Sequence, residues 1–125
     1  MRLLLDTHIF LWAVSGDARL VPATRRLMQA AEAVFVSAAS VWEVAIKARL
    51  GKIDADPQTL VDAIAAAGFT ELPVRAVHAA LVATMPLHHA DPFDRLLLAQ
   101  ALHEPLRLLT TDAALVRYGD RVLMV

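Results

Sequence analysis

The feature that most constrains this chain is a short apolar run that stops at an acid and then recurs. Arg2 to Leu5 ends on Asp6, and Arg107 to Thr111 ends on Asp112. A strand buried on both faces carries consecutive apolar residues, and its first acid marks where the chain emerges from the sheet. Ala33 to Ser37 and Phe69 to Leu72 are built the same way, and Arg121 to Val125 reads as a last strand. Helical stretches lie between these runs. Pro22 suits a helix start, and Ser37 or Ser40 can cap a helix from Val41 to Leu50 that Gly51 ends. Asp56-Pro57 opens a helix to about Gly68, and Pro73 precedes one from Val74 to about Thr84. Asp91-Pro92 opens another to about His103, limited by Pro105. Strands alternating with long helices predict an α/β fold, a parallel sheet with helices on both faces. No repeat, low-complexity segment or linker interrupts the 125 residues, so a single domain over residues 1–125 is expected.

Composition narrows the chemistry. With no cysteine, the chain can form neither a disulfide framework nor a thiolate metal site, and it has no cysteine nucleophile. Hydrophobic residues make up 58 %, more than a buried sheet needs, which points to apolar surface covered by another subunit or a partner. The net charge of −1 gives no global basic footprint for nucleic acid, so any such reading must rest on a local site. The apolar run before Asp6 is too short for a signal-peptide core or a membrane span, and no other run reaches spanning length. A soluble protein that stays in the cytoplasm is expected.

In open α/β sheets, ligands bind beyond the carboxyl ends of the strands, near the point where strand order reverses. Of the 13 acidic residues, a few fall there. Asp6 and Asp112 follow strands directly, and Glu43 lies one to two turns into the helix that leaves the second strand. Asp91 and Asp94 open the helix before the Arg107 strand, and their spacing of three puts both on one side of it. Two unit charges ~5 Å apart repel by roughly 3 kcal/mol at an effective dielectric near 20. A divalent cation removes that cost, and an all-oxygen shell suits magnesium or manganese. Each acid also has a plainer reading. Asp6, Asp91 and Asp112 can be helix caps, Glu43 can pair with Lys47 four residues on, and Asp94 can answer the helix dipole. Their shared edge is what carries information.

Four blocks of sequence make a more specific pattern: Leu4-Leu5-Asp6-Thr7-His8-Ile9-Phe10-Leu11-Trp12; Ser37 to Lys47, containing Val41-Trp42-Glu43-Val44; His88 to Ala101, containing Asp91-Pro92-Phe93-Asp94-Arg95; and Leu109-Thr110-Thr111-Asp112. In this order and spacing they resemble the PIN-domain family, and more narrowly its VapC-type toxin ribonucleases. The resemblance runs from residue 3 to residue 112. It implies a three-layer α/β/α sandwich around a parallel sheet of four to five strands. It also implies an Mg2+-dependent endoribonuclease, with Mn2+ as the other candidate, paired with a small VapB-like antitoxin that occludes the active site. A homodimer is expected as well. The family's four acids fall on Asp6, Glu43, Asp94 and Asp112. Asp94 is chosen over Asp91 because it precedes the run Leu97-Leu98-Ala99-Gln100-Ala101.

On that reading Asp6 and Asp94 contact the metal directly, and Asp112 does so directly or through water. Glu43 orients or deprotonates the attacking water, or holds a second ion. Lys47 and Arg95, within a turn of these acids, are candidates for phosphate contact. So are Thr7 and Thr110, which match small hydroxyl positions beside the acids; a salt bridge is the competing role for Lys47 and Arg95. His88 and His89 are adjacent and share no helix face, so they read as a loop or helix-start feature. His8 is expected to pack near Trp12, and Trp12 and Trp42 to lie in the core or a dimer interface. Other functions remain open at this stage. A phosphoacceptor of the haloacid-dehalogenase type needs Asp-x-Asp where this chain has Asp6-Thr7-His8, and a receiver needs an aspartate that Phe69 to Pro73 lacks. A PIN nuclease that processes RNA or cuts DNA would share the same site. A non-catalytic interaction module would not require the acids to converge.

Overall fold

A computed structural model describes residues 1–125. Five strands form one all-parallel sheet: β1 (Arg2–Leu5), β2 (Ala33–Ser37), β3 (Thr70–Leu72), β4 (Arg107–Thr110) and β5 (Val122–Met124). Their spatial order is β3-β2-β1-β4-β5, so the first strand of the chain lies in the centre. Six α-helices accompany them: α1 (Thr7–Ser15), α2 (Pro22–Ala30), α3 (Ala38–Arg49), α4 (Pro57–Ala66), α5 (Ala76–Leu81) and α6 (Pro92–His103). Short 3-10 helices follow at Val82–Thr84 and Ala113–Tyr118.

Side-chain alternation along the strands divides the core into two layers. Leu3 and Leu5 of β1, Val34 and Val36 of β2, and Leu109 of β4 face one cluster, filled by Ile9 and Phe10 of α1, Met28 of α2, Val44 of α3, and Leu60 and Ile64 of α4. Leu4 and Leu108 face the other, with Leu97, Leu98 and Ala101 of α6, Leu115 and Val122. The architecture is therefore the expected α/β/α sandwich. Leu3, Leu4 and Leu5 have no exposed surface, which is why β1 reads as an unbroken apolar run. No helix is long and apolar enough to cross a membrane.

Boundaries shift where local hydrogen bonding competes with pattern. The helix expected from Val41 starts at Ala38, because Ser37 itself is the cap, its hydroxyl accepting the Ala39 N–H at 3.0 Å. Ser40 is left to pack inward. The helix expected from Val74 to Thr84 starts at Ala76, because Arg75 is its first cap residue, and its last turn tightens to 3-10 geometry.

The order β2-β1-β4 also fixes where the strand order reverses. The chain leaves β1 for β2 on one side and later crosses to β4 on the other. The carboxyl ends of β1 and β4 thus flank the crevice of an open α/β sheet. Truncating the central strand should be costly. Leu4→Ala, which empties space between β1 and α6, is expected to lose about 2–5 kcal/mol of unfolding free energy in urea titration.

Candidate metal and catalytic centre

Asp6 is held by three elements at once. Its backbone N–H donates to the Leu109 carbonyl at 3.0 Å, continuing the β1–β4 ladder by one residue. One carboxylate oxygen, Oδ1, accepts the Ile9 N–H at 2.8 Å and so caps α1; the other, Oδ2, accepts the Thr110 hydroxyl at 2.6 Å. The Thr110 oxygen in turn accepts the Asp112 N–H at 3.0 Å, which ties the first acid to the fourth. Asp112 divides its own carboxylate. Oδ1 accepts the Ala114 N–H at 2.9 Å and caps the 3-10 helix, while Oδ2 lies 3.4 Å from His89 Nε2, in one cluster with Asp94.

Glu43 projects from α3 and is buried. Its Oε1 accepts the Thr7 hydroxyl at 2.7 Å, and its Oε2 accepts the Lys47 ammonium. Thr7 directly follows Asp6, so the second acid is anchored beside the first. On α6 the two candidate acids separate by role. Asp91 is the cap, Oδ1 accepting from the N–H groups of Phe93 at 2.8 Å and Asp94 at 3.1 Å. That leaves the Asp94 side chain free of capping. Its one hydrogen-bonding partner is His89, whose Nε2 lies 2.8 Å from Oδ2. The same Nε2 is 3.4 Å from Asp112 Oδ2.

The electrostatics follow from this packing. Burial pushes the Asp94 carboxyl up to about 6; the neighbouring Asp91 and Asp6 push the same way, and the hydrogen bond from His89 opposes them. Burial also raises the Asp6 carboxyl, against the hydrogen bonds from Thr110 and Ile9, and Glu43 adds a repulsive push. The Lys47 ammonium is held charged by Glu43 and lies within the field of Asp91 and Asp94. Glu43 is therefore close enough to act on Asp6, and Asp6 on Asp94, and the hydrogen bond from Asp112 to Thr110 brings in the fourth acid. Such a donor set fits a hard cation: four carboxylates, two of them destabilised when ionised, opposed by one lysine, Lys47, and two histidines, His8 and His89.

Three of the residues expected to contact phosphate are engaged within the protein. The Arg95 guanidinium is taken up by the protein itself. It donates to the carbonyls of Val82, Met85, Pro86 and His89 and to the Tyr118 hydroxyl, at 3.0–3.5 Å. It staples the loop before α6, and its charge is used on backbone oxygens. Thr7 and Thr110 are buried, and both hydroxyls donate their single proton to carboxylates, which orients Glu43 and Asp6. Lys47 stays at the site, paired with Glu43.

His89, read from sequence as a loop residue, does lie in a loop, but it faces two of the acids. Its spacing to Asp94 was visible; the turn that brings it back was not. His88 stacks edge-on against Tyr118 with ring centres 5.0 Å apart. Trp12 packs on the core beside His8, as expected. Trp42 is not a core residue: it is 59 % exposed and rests edge-on against Phe93, next to Asp94.

Two outcomes are expected. Arg95→Ala should free the loop and cost on the order of 2 kcal/mol, measured by denaturant titration, because several partly buried carbonyls lose a charged donor together. The Asp94 shift makes metal-free stability depend on pH. Its folded pKa lies above the ordinary value of 3.8, so the native state holds more protons between the two and stability falls as pH rises through about 6. Metal-free wild type should lose about 1 kcal/mol relative to Asp94→Asn between pH 5 and pH 7. A difference that does not change with pH would contradict this assignment.

Comparison with known proteins places this geometry. No curated protein matches the sequence significantly. Among solved structures, VapBC2 from Rickettsia felis, bound to a DNA fragment from its promoter, superposes with a TM-score of 0.73 at 15 % identity, covering 100 % of this chain and 98 % of that one. A toxin–antitoxin complex from Klebsiella pneumoniae gives 0.69 at 18 % identity, covering 98 % and 96 %. FitAcB from Neisseria gonorrhoeae gives 0.63 at 19 % identity, with the same coverage. At these identities the likeness is one of fold. The model of the PIN domain, a family whose members are generally nucleases, matches residues 3–121. Nearly the whole chain is thereby accounted for, and it belongs to the PIN-domain family.

Proposed function

We propose that this protein is a divalent-metal-dependent endoribonuclease acting in the cytoplasm as the toxin of a VapBC-type pair. The observation that carries the reading is the meeting of Asp6, Glu43, Asp94 and Asp112 at the carboxyl edge of β1 and β4, in a PIN domain. Asp6, Asp94 and Asp112 would hold Mg2+ or Mn2+, with Glu43 beside them. When bound, the cation would make water a better nucleophile and neutralise charge on the scissile phosphate.

The chain's own residues do the rest. Thr7 and Lys47 fix the two oxygens of Glu43, which leaves each a further lone pair to accept a proton from an attacking water. Thr110 sets the orientation of Asp6, and Asp91 presents Asp94 by taking over the capping of α6. Lys47 is the cation nearest the acids that is still partly exposed, and it offers charge to a phosphate that approaches Glu43. Pairing with an antitoxin and homodimerisation belong to the same proposal. They are supported by toxin–antitoxin complexes of the same fold and by exposed apolar residues such as Trp42, Leu50 and Leu87.

The test is cleavage of single-stranded RNA and of DNA of the same sequence, with Mg2+ or Mn2+ and with chelator. RNA cleavage that chelator abolishes is expected. Asp6→Asn and Asp94→Asn should each lower it by at least about a hundredfold, since even outer partners of metal ligands are worth 10–100-fold. Thr110→Val should fall within that smaller range. Full activity in Asp94→Asn, or cleavage of DNA alone, would overturn the reading.

A further inference from the structure

We propose that His89 is itself a ligand of the metal centre, adding one nitrogen donor to the carboxylates and biasing the site toward manganese over magnesium. The inference rests on the metal-dependent reading above and extends it to a residue outside the four acids. His89 Nε2, Asp94 and Asp112 each offer a ligand atom within 4.8 Å of the others. The Nε2 atom lies 2.8 Å from Asp94 Oδ2 and 3.4 Å from Asp112 Oδ2. Adjacent donors on a six-coordinate ion with bonds of roughly 2.0–2.1 Å sit about 3 Å apart. Both distances from Nε2 are close to that spacing, so a cation can take the place of the hydrogen between Nε2 and Asp94. The proton displaced from Nε2 moves to Nδ1 or to water, and the imidazole coordinates in its neutral form.

The loop holds His89 there independently of the acids. The Tyr118 hydroxyl accepts the His89 N–H at 3.1 Å, and the guanidinium of Arg95 spans the His89 carbonyl and that same hydroxyl. Preorganisation of this kind is what a ligand needs and what an incidental surface histidine lacks. The molecule's other histidine–carboxylate group makes the contrast clear. In His78, His103 and Glu104, Nδ1 of the fully buried His78 accepts the Arg75 N–H at 3.0 Å, so the proton must sit on Nε2, 2.6 Å from Glu104. A cation there would have to strip the second nitrogen as well. At His89 no such backbone donor stands in the way.

A nitrogen donor is poorly matched to magnesium, which prefers oxygen and gives up its water reluctantly, and is better matched to transition ions. The experiment is Mn2+ and Mg2+ titration of wild type, His89→Ala and His89→Gln, followed by calorimetry. Electron spin echo spectroscopy of Mn2+ bound to wild type accompanies it and needs no variant to fold. Imidazole 14N modulation is expected in wild type, and roughly 10–100-fold weaker Mn2+ binding in both variants. Mg2+ binding should change by less than about threefold, because magnesium gains little from the nitrogen. Absence of nitrogen coupling, or tighter Mn2+ binding in His89→Ala, overturns the inference while leaving RNA cleavage by wild type intact. Failure of wild type to bind either ion overturns the metal-dependent reading as well.

Discussion

Four carboxylates held partly out of water at one edge of an apolar sheet repel one another, and much of the surrounding structure offsets that repulsion. Thr110 and the start of α1 neutralise part of the charge of Asp6 by donating to it, and Thr7 and Lys47 do the same for Glu43. Asp94 is the least supported, with a single donor, and its carboxyl is accordingly displaced toward neutrality. Packing alone gives no reason to tolerate this. Aliphatic side chains at these positions would extend the two core clusters with no electrostatic cost. A site that is stressed when empty is one in which cation binding contributes to stability as well as chemistry.

Three of the acids near the edge also act as caps, and this explains how the sheet aims them. Asp6 caps α1, Asp91 caps α6 and Asp112 caps the 3-10 helix that follows β4. A cap residue sits where a strand or loop hands over to a helix, with extended backbone and a side chain turned back over the helix start. In a parallel sheet these handovers all occur at one end. The plain and the functional readings of Asp6 and Asp112 are therefore compatible, because capping uses only one of the two oxygens of each carboxylate, and the Thr110 hydroxyl on the second oxygen of Asp6 leaves it a further lone pair.

Most of the sheet and the placement of the acids were legible in the sequence. Apolar strands ending on Asp6 and Asp112 locate both residues without any contact information, and Asp91-Pro92 marks the start of α6. What could not be read was set by side chains reaching across the fold. Arg95 looks like a phosphate ligand until the loop from Val82 to His89 folds back over it and supplies carbonyls. His89 reaches Asp94 and Asp112 only through that same turn, whose shape is fixed by Tyr118, about thirty residues further on. Trp42 follows an apolar helical pattern yet lies outside the core, because the inward face of α3 at that point belongs to Ala39, Ser40, Glu43 and Val44. Periodicity predicts which face is apolar, and it cannot say that a glutamate will occupy the inner side.

The central position of β1 bears on how such a protein comes into being. The hydroxyl that orients Asp6 belongs to Thr110, 104 positions later in the chain, and one of the strands that flank β1 is β4. Pairing across so long a separation is slow, because the chain loses much freedom before the contact compensates. On a ribosome, the N-terminal strand has to wait, solvated or loosely paired with β2, until β4 has emerged. A chain made only as far as α6 therefore lacks both the hydroxyl that orients Asp6 and the strand that leads to Asp112, so the carboxylate cluster is incomplete until β4 is in place.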